Sequence, residues 1–344
     1  MSVGRIALVA LILVAALACA ATAQHAKFKL FDLMEDQPEA AADPDAKPGE
    51  AAAPEKKPWD VDKEQLFVHP ISAPYYHEDS FITSDVRLWY LYHKFSKQTA
   101  LDGGHLQAVA VQARIALTDR FQFVAYKDGY SWWDEGADLM NDGCHDIGFG
   151  LKWNFLQDWN EQMHAAVGVG YEVASGRQAT LHDDQEWRVW GSFDKGFGAL
   201  HLGGTVNFFY APDKAADSPA AAAVQSRDFG SNNYMTWHAH ADYRACDVFS
   251  PVVEMSGYHV VSEGAHNVLD FQGTDAVNVA GGKKNYVITT ALGGAFRPGP
   301  EWLAIRGAYE FPISNKDDIW RWRVTLSADL LLTGDLLLAG PIRG

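Results

Sequence analysis

The chain has 344 residues, and its 28 Lys and Arg against 44 Asp and Glu give a formal net charge of −16 at pH 7. This acidic balance argues against nucleic-acid binding, which needs clustered basic residues. The 3 cysteines are too few for a disulfide-stapled scaffold. A mildly negative mean hydropathy excludes a polytopic helical membrane protein, but not a transmembrane β-barrel, in which every second residue is polar.

The first 23 residues read as an export signal. Arg5 precedes an apolar run over 6–18, and the small residues of 21–23 then offer a cleavage site. The run is shorter than the ~20 residues that a membrane-spanning helix needs. The sequence therefore predicts a signal peptide over 1–23.

Two further segments precede the region of regular pattern. Residues 24–58 form a linker rich in Pro, Ala and acidic residues, and we expect it to be disordered because it cannot bury enough apolar surface. Residues 59–80 carry Pro70, Pro74 and several aromatic residues. Two locations stay open for this pre-barrel segment: inside a barrel lumen, as a plug, or in the periplasm.

From residue 81 to 331 the dominant period of the sequence is two. Apolar residues such as Ile147, Phe149 and Leu151 alternate with polar or small ones, so each strand has one apolar and one polar face. The pattern predicts twelve strands, over 83–95, 105–118, 120–127, 145–156, 162–173, 185–194, 198–210, 233–244, 251–260, 285–297, 302–311 and 318–331. Their length suits a tilted crossing of a bilayer. We predict an all-β fold, a single antiparallel transmembrane β-barrel of about 12 strands over 81–331, followed by a tail over 332–344.

The links between these strands alternate in length. The even-numbered links are short, at 118–119, 157–161, 195–197, 245–250 and 298–300. The largest odd-numbered links are 128–144, 211–232 and 261–284. Short turns at one end and long loops at the other are typical of outer-membrane barrels.

The polar face of the strands is predicted to line a water-filled lumen. The predicted pore-lining residues are Asp85, Arg87, Arg114, Lys152, Glu172, Glu186, Arg188, His238, His240, Asp242, Arg244, Glu254, Arg306, Glu310, Arg321 and Arg323. Glycines on the same face, among them Gly168, are expected to keep a narrow lumen open. Aromatic residues on the apolar face near strand ends, such as Trp187, Tyr243 and Trp320, predict girdles at headgroup depth.

A resemblance follows from two short stretches. The run Gly143-Cys144-His145-Asp146-Ile147-Gly148-Phe149-Gly150-Leu151-Lys152-Trp153 resembles a strand of the meta-pathway phenol-degradation family of outer-membrane transporters. The run Tyr309-Glu310-Phe311-Pro312-Ile313-Ser314 is similar to its penultimate strand and turn. The resemblance implies a barrel that imports hydrophobic or aromatic compounds, with lumen aromatics such as Trp89, Trp190 and Tyr258 capturing the solute first.

Other chemistry is weaker in the sequence. His238, His240 and Asp242 share one strand face and would make a metal site only with a further ligand, so lumen lining is preferred and no metal or other cofactor is expected. A hydrolase would need a serine oriented by histidine, yet no G-x-S-x-G elbow is present. An outer-membrane hydrolase and a secreted soluble β-barrel binding protein remain the alternatives.

The sequence thus predicts a non-enzymatic, exported protein of the outer membrane. Its function would be passive uptake of small solutes through the barrel lumen. The expected partners are outer-membrane lipid, a small-molecule solute and the barrel-assembly machinery, with no nucleic acid.

Overall fold

A computed structural model describes residues 67–98, 101–138, 140, 142–173, 175, 185–212, 232–262, 286–299, 302–314 and 320–332. The predicted signal peptide, the linker and nearly all of the tail lie outside the described residues. No helix within these ranges is long and apolar enough to cross a membrane.

The described residues form one antiparallel sheet of fourteen strands. The strands are β1 (Asp85–Lys94), β2 (His105–Ala116), β3 (Phe121–Lys127), β4 (Tyr130–Asp134), β5 (Gly143–Cys144), β6 (Ile147–Asp158), β7 (Met163–Val173), β8 (Glu186–Phe197), β9 (Leu200–Tyr210), β10 (Asn233–Tyr243), β11 (Phe249–Ser262), β12 (Tyr286–Phe296), β13 (Leu303–Pro312) and β14 (Trp322–Leu331). Each long strand alternates inward and outward side chains, as the period of two predicts.

The sheet closes on itself. Strand β1 pairs with β2 along one edge and with β14 along the other, so that Asp85 lies opposite both Arg114 and Leu331. Apart from the short β4 and β5, twelve described strands complete the ring. Closure leaves no long unpaired edge. The prediction of an all-β barrel of about 12 strands is confirmed.

The predicted loop over 128–144 is wrong in part, because it contains β4 and β5. Strand β2 pairs with β3 near its end and with β4 near its start, so that β3 and β4 act as one interrupted strand. Strand β5 pairs with β4, while β6 pairs with β3. A left-handed Gly129, with φ of 121°, lies at the interruption. The sheet therefore extends past the predicted strand end at residue 127.

The two ends of the barrel differ as the sequence predicts. Links of two to six residues join β2 to β3, β6 to β7, β8 to β9, β10 to β11 and β12 to β13. We call this end, where β1 begins and β14 ends, the short-turn end. The opposite end carries the longer links, and we call it the long-loop end.

The barrel wall is inverted relative to a water-soluble protein. Large apolar side chains point outward and stay exposed, for example Val189 at 55%, Val206 at 54% and Leu151 at 49%. Charged side chains on the other face, among them Arg87 and Lys152, are buried. A continuous belt of exposed apolar side chains around the barrel is stable only against lipid. The fold is that of a transmembrane β-barrel.

Residues 67–84, which we call the lumen segment, lie inside this ring. Their main-chain and side-chain groups bond to inward-facing residues of strands on opposite sides of the barrel, including Arg114 of β2, Asp194 of β8 and Arg306 of β13. A segment that touches opposite walls must lie between them. The backbone polar groups of the segment are thus satisfied largely by the barrel wall rather than by secondary structure.

Two expectations about the interior are wrong. Gly168 does not widen the lumen, because a Cβ there would lie 2.1 Å from the ring of Trp190, and the glycine instead makes room for that ring. Trp320 does not belong to a headgroup girdle. Its side chain is fully buried beside His93 and Arg323, since β14 begins only at Trp322 and leaves residue 320 free to turn inward.

Candidate functional site in the barrel lumen

Most of the predicted pore-lining residues lie together on the inner face of the wall. Fourteen are buried there, namely Asp85, Arg87, Arg114, Lys152, Glu172, Glu186, Arg188, His238, His240, Asp242, Glu254, Arg306, Glu310 and Arg323. The other two lie outside the strands. Arg244 follows β10 and pairs with Asp247 in a short turn, and Arg321 is exposed before β14. The alternation of the strands does not extend to these two positions.

Toward the short-turn end, ion pairs fix the lumen segment to the wall. Glu78 pairs with Arg114 in a two-pronged contact, and the Nζ of Lys152 lies 3.4 Å from the Oδ1 of Asp79. Arg87 approaches Asp79 to 3.4 Å and also pairs with Asp85 at 2.8 Å. All these side chains are at least 97% buried. Buried charges of opposite sign are thereby matched one against another.

The surrounding charges control the ionisation of the segment's acids. Burial alone would raise the pKa of Glu78, but Arg114 and Lys152 outweigh it and hold that pKa below its usual value. Burial also opposes ionisation of Asp79, and Lys152 and His69 hold its pKa well below the usual range. Both carboxyl groups are therefore charged at neutral pH.

The wall also binds the main chain of the segment. The Glu254 carboxylate accepts hydrogen bonds from the backbone N–H groups of Ile71, at 2.9 Å, and Ser72, at 2.6 Å. Arg306 donates to the carbonyl oxygens of His69 and Pro70. Acids of the wall thus accept from the segment's donors, and a cation of the wall donates to its acceptors.

Toward the long-loop end, aromatic packing replaces ion pairs. The ring of Tyr76 lies among Phe209, Tyr234, Tyr258 and His238, with ring centroids 5.5, 6.2, 5.6 and 6.1 Å away. We call these four wall residues the aromatic cage. Three of the contacts are edge-to-face and one is stacked, which are the favoured arrangements for aromatic rings.

One cation lies at the boundary between the two zones. The guanidinium of Arg188 donates to the carbonyl oxygens of Tyr75, at 2.9 Å, and Tyr76, at 2.8 Å, and to the side-chain oxygen of Asn207. Its Cζ lies 4.6 Å from the ring centroid of Trp190, within cation–π distance. Arg188 therefore holds the segment at the edge of the aromatic cage.

The histidines considered as metal ligands are engaged with other groups. His240 lies between two carboxylates, 2.7 Å from Glu254 and 3.2 Å from Asp242, while His238 contacts Ser256 at 2.8 Å. Over the described ranges, no group of three or more His, Cys, Asp or Glu side chains is arranged to hold a metal ion. The pattern is that of a hydrogen-bonded lumen wall.

A serine–histidine contact was not predicted from the sequence. The Oγ of Ser131 lies 2.5 Å from the Nε2 of His145, and the Nδ1 of His145 lies 2.8 Å from the main-chain oxygen of Asp128. The spacing suits nucleophile activation. However, Ser131 is completely buried and Tyr75 packs against His145, so no substrate carbonyl has room beside the hydroxyl while the lumen segment is docked.

The acids of the lumen segment are among the residues that sequence reasoning missed, as are Asp194 and Asn207 of the wall. Glu78 and Asp79 lie outside every predicted strand, so the alternation of faces says nothing about them. The signal that was present is their position: two adjacent acids close a stretch rich in Pro and aromatic residues directly before the first strand. Such acids have natural partners in the basic residues on a barrel's polar face.

A small cavity adjoins the lumen segment. This cavity of about 30 Å³ lies between the segment and the wall, lined by residues that include Tyr75, Trp89, Leu91 and Leu106. This volume has room for water but not for an organic solute. An organic solute would enter this cavity only if the lumen segment shifted.

Comparisons with known proteins support the fold. No protein-family model and no curated protein sequence matches the chain. Among solved structures, the COG4313 outer membrane channel from Pseudomonas putida F1 is similar with a TM-score of 0.54 and 9% identity, over 77% of this chain and 100% of that one.

Two further barrels are similar at a lower level. The KdgM porin has a TM-score of 0.40 and 10% identity, over 71% of this chain and 98% of that one. A FadL homologue of Pseudomonas aeruginosa has a TM-score of 0.37 and 13% identity, over 78% of this chain and 96% of that one. The closed ring, the apolar belt and the similarity to the COG4313 channel together show that this chain has an outer-membrane β-barrel fold.

Proposed function

We propose that the protein is an outer-membrane channel for the passive uptake of small solutes, with the lumen segment as its plug. The observation that carries the proposal is the inverted barrel itself, with an apolar belt outside and a ladder of buried charges inside. A wall that is apolar toward lipid and charged toward its interior is typical of barrels whose lumen admits water or a polar solute. Hydrophobic or aromatic compounds are the proposed solutes, as the resemblance to the phenol-degradation family implies.

The plug follows from the way in which the lumen segment is bound. It is held by discrete ion pairs and hydrogen bonds, such as Glu78 to Arg114, and not by pairing as a further strand of the sheet. Contacts of this type are exchanged for water when the segment leaves, so the released state is not left with dry, unpaired charges. The lumen segment is thus a removable part of the interior.

A secreted, soluble β-barrel is disfavoured by the outer surface. Side chains such as Phe197, at 59% exposure, and Tyr243, at 52%, belong to an apolar belt whose exposure to water would be unfavourable. We expect the folded chain to need detergent and to migrate anomalously on unheated gels. A chain that stays folded and dispersed in buffer without detergent would contradict the membrane assignment.

Conductance in planar bilayers tests the channel directly. We expect the wild-type chain to show rare, brief openings, and a Glu78→Gln/Asp79→Asn variant to be open much more often, because its plug loses both carboxylates. Glu161→Gln, in the exposed turn after β6, is the matched control and should behave as the wild type. A barrel that stays silent in all three forms would overturn the channel proposal.

A further inference from the structure

Arg188 differs from the other buried cations of the barrel. Those cations, Arg87, Arg114, Lys127, Lys152, Arg306 and Arg323, each have a carboxylate oxygen within 4.0 Å. Within the described part of the chain, no carboxylate lies this close to Arg188, although its side chain is completely buried. Its donors are directed to uncharged oxygens, on Asn207 and on the main chain of Tyr75 and Tyr76.

An uncharged set of acceptors is an incomplete match for a buried guanidinium. Burial disfavours the charged form of the side chain, and carbonyl oxygens carry only partial negative charge. The two terminal nitrogens of Arg188 each reach a separate carbonyl, at 2.9 and 2.8 Å. This two-pronged arrangement is the one with which arginine binds both oxygens of a carboxylate.

Aromatic surface surrounds the same position. The Cζ of Arg188 lies 4.7 Å from the ring of Tyr126 and 5.6 Å from that of Phe209. Phe209 is also part of the aromatic cage, which holds the ring of Tyr76. A cation that donates hydrogen bonds to two oxygens therefore adjoins a cage that holds one planar ring, and Phe209 contacts both.

We propose that Arg188, Asn207 and the aromatic cage form a binding site for a planar aromatic carboxylate. In the closed state, Tyr76 takes the place of the ligand's ring, and the carbonyl groups of Tyr75 and Tyr76 take the place of its carboxylate. The ligand and the lumen segment compete for one site, so binding favours the open barrel. This inference rests on the proposed channel with its plug, and it names the class of solute that the channel takes.

Binding of benzoate to the purified full-length barrel in detergent tests the site. Cyclohexanecarboxylate has the charge without the aromatic ring, and benzyl alcohol has the ring without the charge. Titration calorimetry on the Glu78→Gln/Asp79→Asn variant should show benzoate binding at least tenfold more tightly than either comparison compound. The wild type, with its segment in place, should bind benzoate at least tenfold more weakly than this variant.

Two more variants keep the test decisive. Arg188→Gln in the same background should remove the preference for benzoate over benzyl alcohol, whereas Glu161→Gln should leave it unchanged. Tyr76→Ala empties the cage without depending on release by the acid substitutions, and it should show the same order of preference. Anomalous gel migration confirms that each variant is folded.

The outcomes separate this proposal from the channel itself. The aromatic carboxylate site is wrong if benzoate and cyclohexanecarboxylate bind equally to the Glu78→Gln/Asp79→Asn variant and to the Tyr76→Ala variant. It is also wrong if adding Arg188→Gln leaves the affinity for benzoate unchanged. Binding in detergent without any conductance in bilayers would instead contradict the channel. Conductance without a benzoate preference would leave the channel standing and overturn only the site.

Discussion

The two halves of the lumen hold the same segment through different interactions. Toward the short-turn end, Glu78 and Asp79 meet Arg114, Lys152 and Arg87 in buried ion pairs. Toward the long-loop end, Tyr76 packs into a cage of aromatic rings. The first zone depends on charge and therefore on protonation, while the second depends on shape and apolar contact. A solute entering from the long-loop end meets the aromatic zone first.

The largest expected effect is the loss of charge in the short-turn half. Glu78→Gln/Asp79→Asn leaves Lys152 buried without its two carboxylate partners and leaves Arg114 with only the more distant Asp85, 3.8 Å away. The loss of a single buried pair costs about 3–5 kcal/mol. We expect the lumen segment to undock, since release allows water to solvate the unpaired cations. Protease cleavage within residues 67–84 of the folded barrel would measure the release.

The pairing itself can be examined by a double-mutant cycle. Arg114→Gln combined with Glu78→Gln should be far less harmful than the sum of the two single substitutions, because no buried charge is then left alone. Tyr76→Ala and Glu78→Gln act in separate zones and should add. Strong coupling between these last two would show that the zones are not independent.

Loss of the aromatic contact in the long-loop half is the next largest effect. Tyr76→Ala removes a ring that is 97% buried. Truncation of a large core aromatic side chain costs about 3–5 kcal/mol, and we expect a loss of docking free energy at the lower end of this range. Tyr76→Phe keeps the ring and should keep most of the docking free energy. The same protease assay compares the two variants. Equal release by both would mean that the hydroxyl, and not the ring, holds the segment.

The sequence predicted the wall of this lumen well and its contents poorly. Alternation placed Arg87, Lys152 and Glu254 on the inner face, because a strand leaves no other choice once its neighbours are known. The same rule failed for Arg244 and Arg321, which lie just beyond the strand ends. A strand pattern does not specify where pairing stops.

The contacts of the lumen segment had no periodic signal at all. Its residues bond to partners more than a hundred positions away, as when Arg306 binds the carbonyl of His69. Such contacts depend on which strands face each other across the closed ring. The unmatched state of Arg188 could not be predicted either, since its chain neighbours include Glu186, which instead accepts a hydrogen bond from Tyr234.

A smaller effect is expected from pH, through a histidine between the two zones. Burial lowers the pKa of His77 to about 4, against about 6.5 for a histidine in a released segment. The released state therefore binds the proton more readily, and docking weakens as the pH falls from about 6.5 toward 4. At pH 5 the free energy of docking is weaker by about 2 kcal/mol, because each pH unit below 6.5 costs about 1.36 kcal/mol.

The groups around His77 define the control for this pH effect. Its ring lies 5.2 Å from that of His238 and 6.1 Å from that of His240, and Glu254, Asp79 and Glu78 act on it electrostatically. His77→Asn isolates its contribution from theirs. The variant should release its segment over pH 7 to 5 with a shallower pH dependence than the wild type. Identical profiles would assign the dependence to the wall histidines.

The smallest effect is expected at the edge of the predicted pore lining. Arg244 pairs with Asp247 at 2.8 Å in a short turn, and the acid is 89% exposed, so the pair contributes less than about 1 kcal/mol. Arg244→Gln should leave conductance, docking and benzoate binding within error of the wild type. Arg87→Gln, two residues along the wall from Asp85, should disturb all three because it breaks buried pairs to Asp85 and Asp79. If Arg244→Gln impaired these properties as strongly as Arg87→Gln, the charges of the turn would belong to the functional lumen. The interior would then contain a third zone besides the two described above.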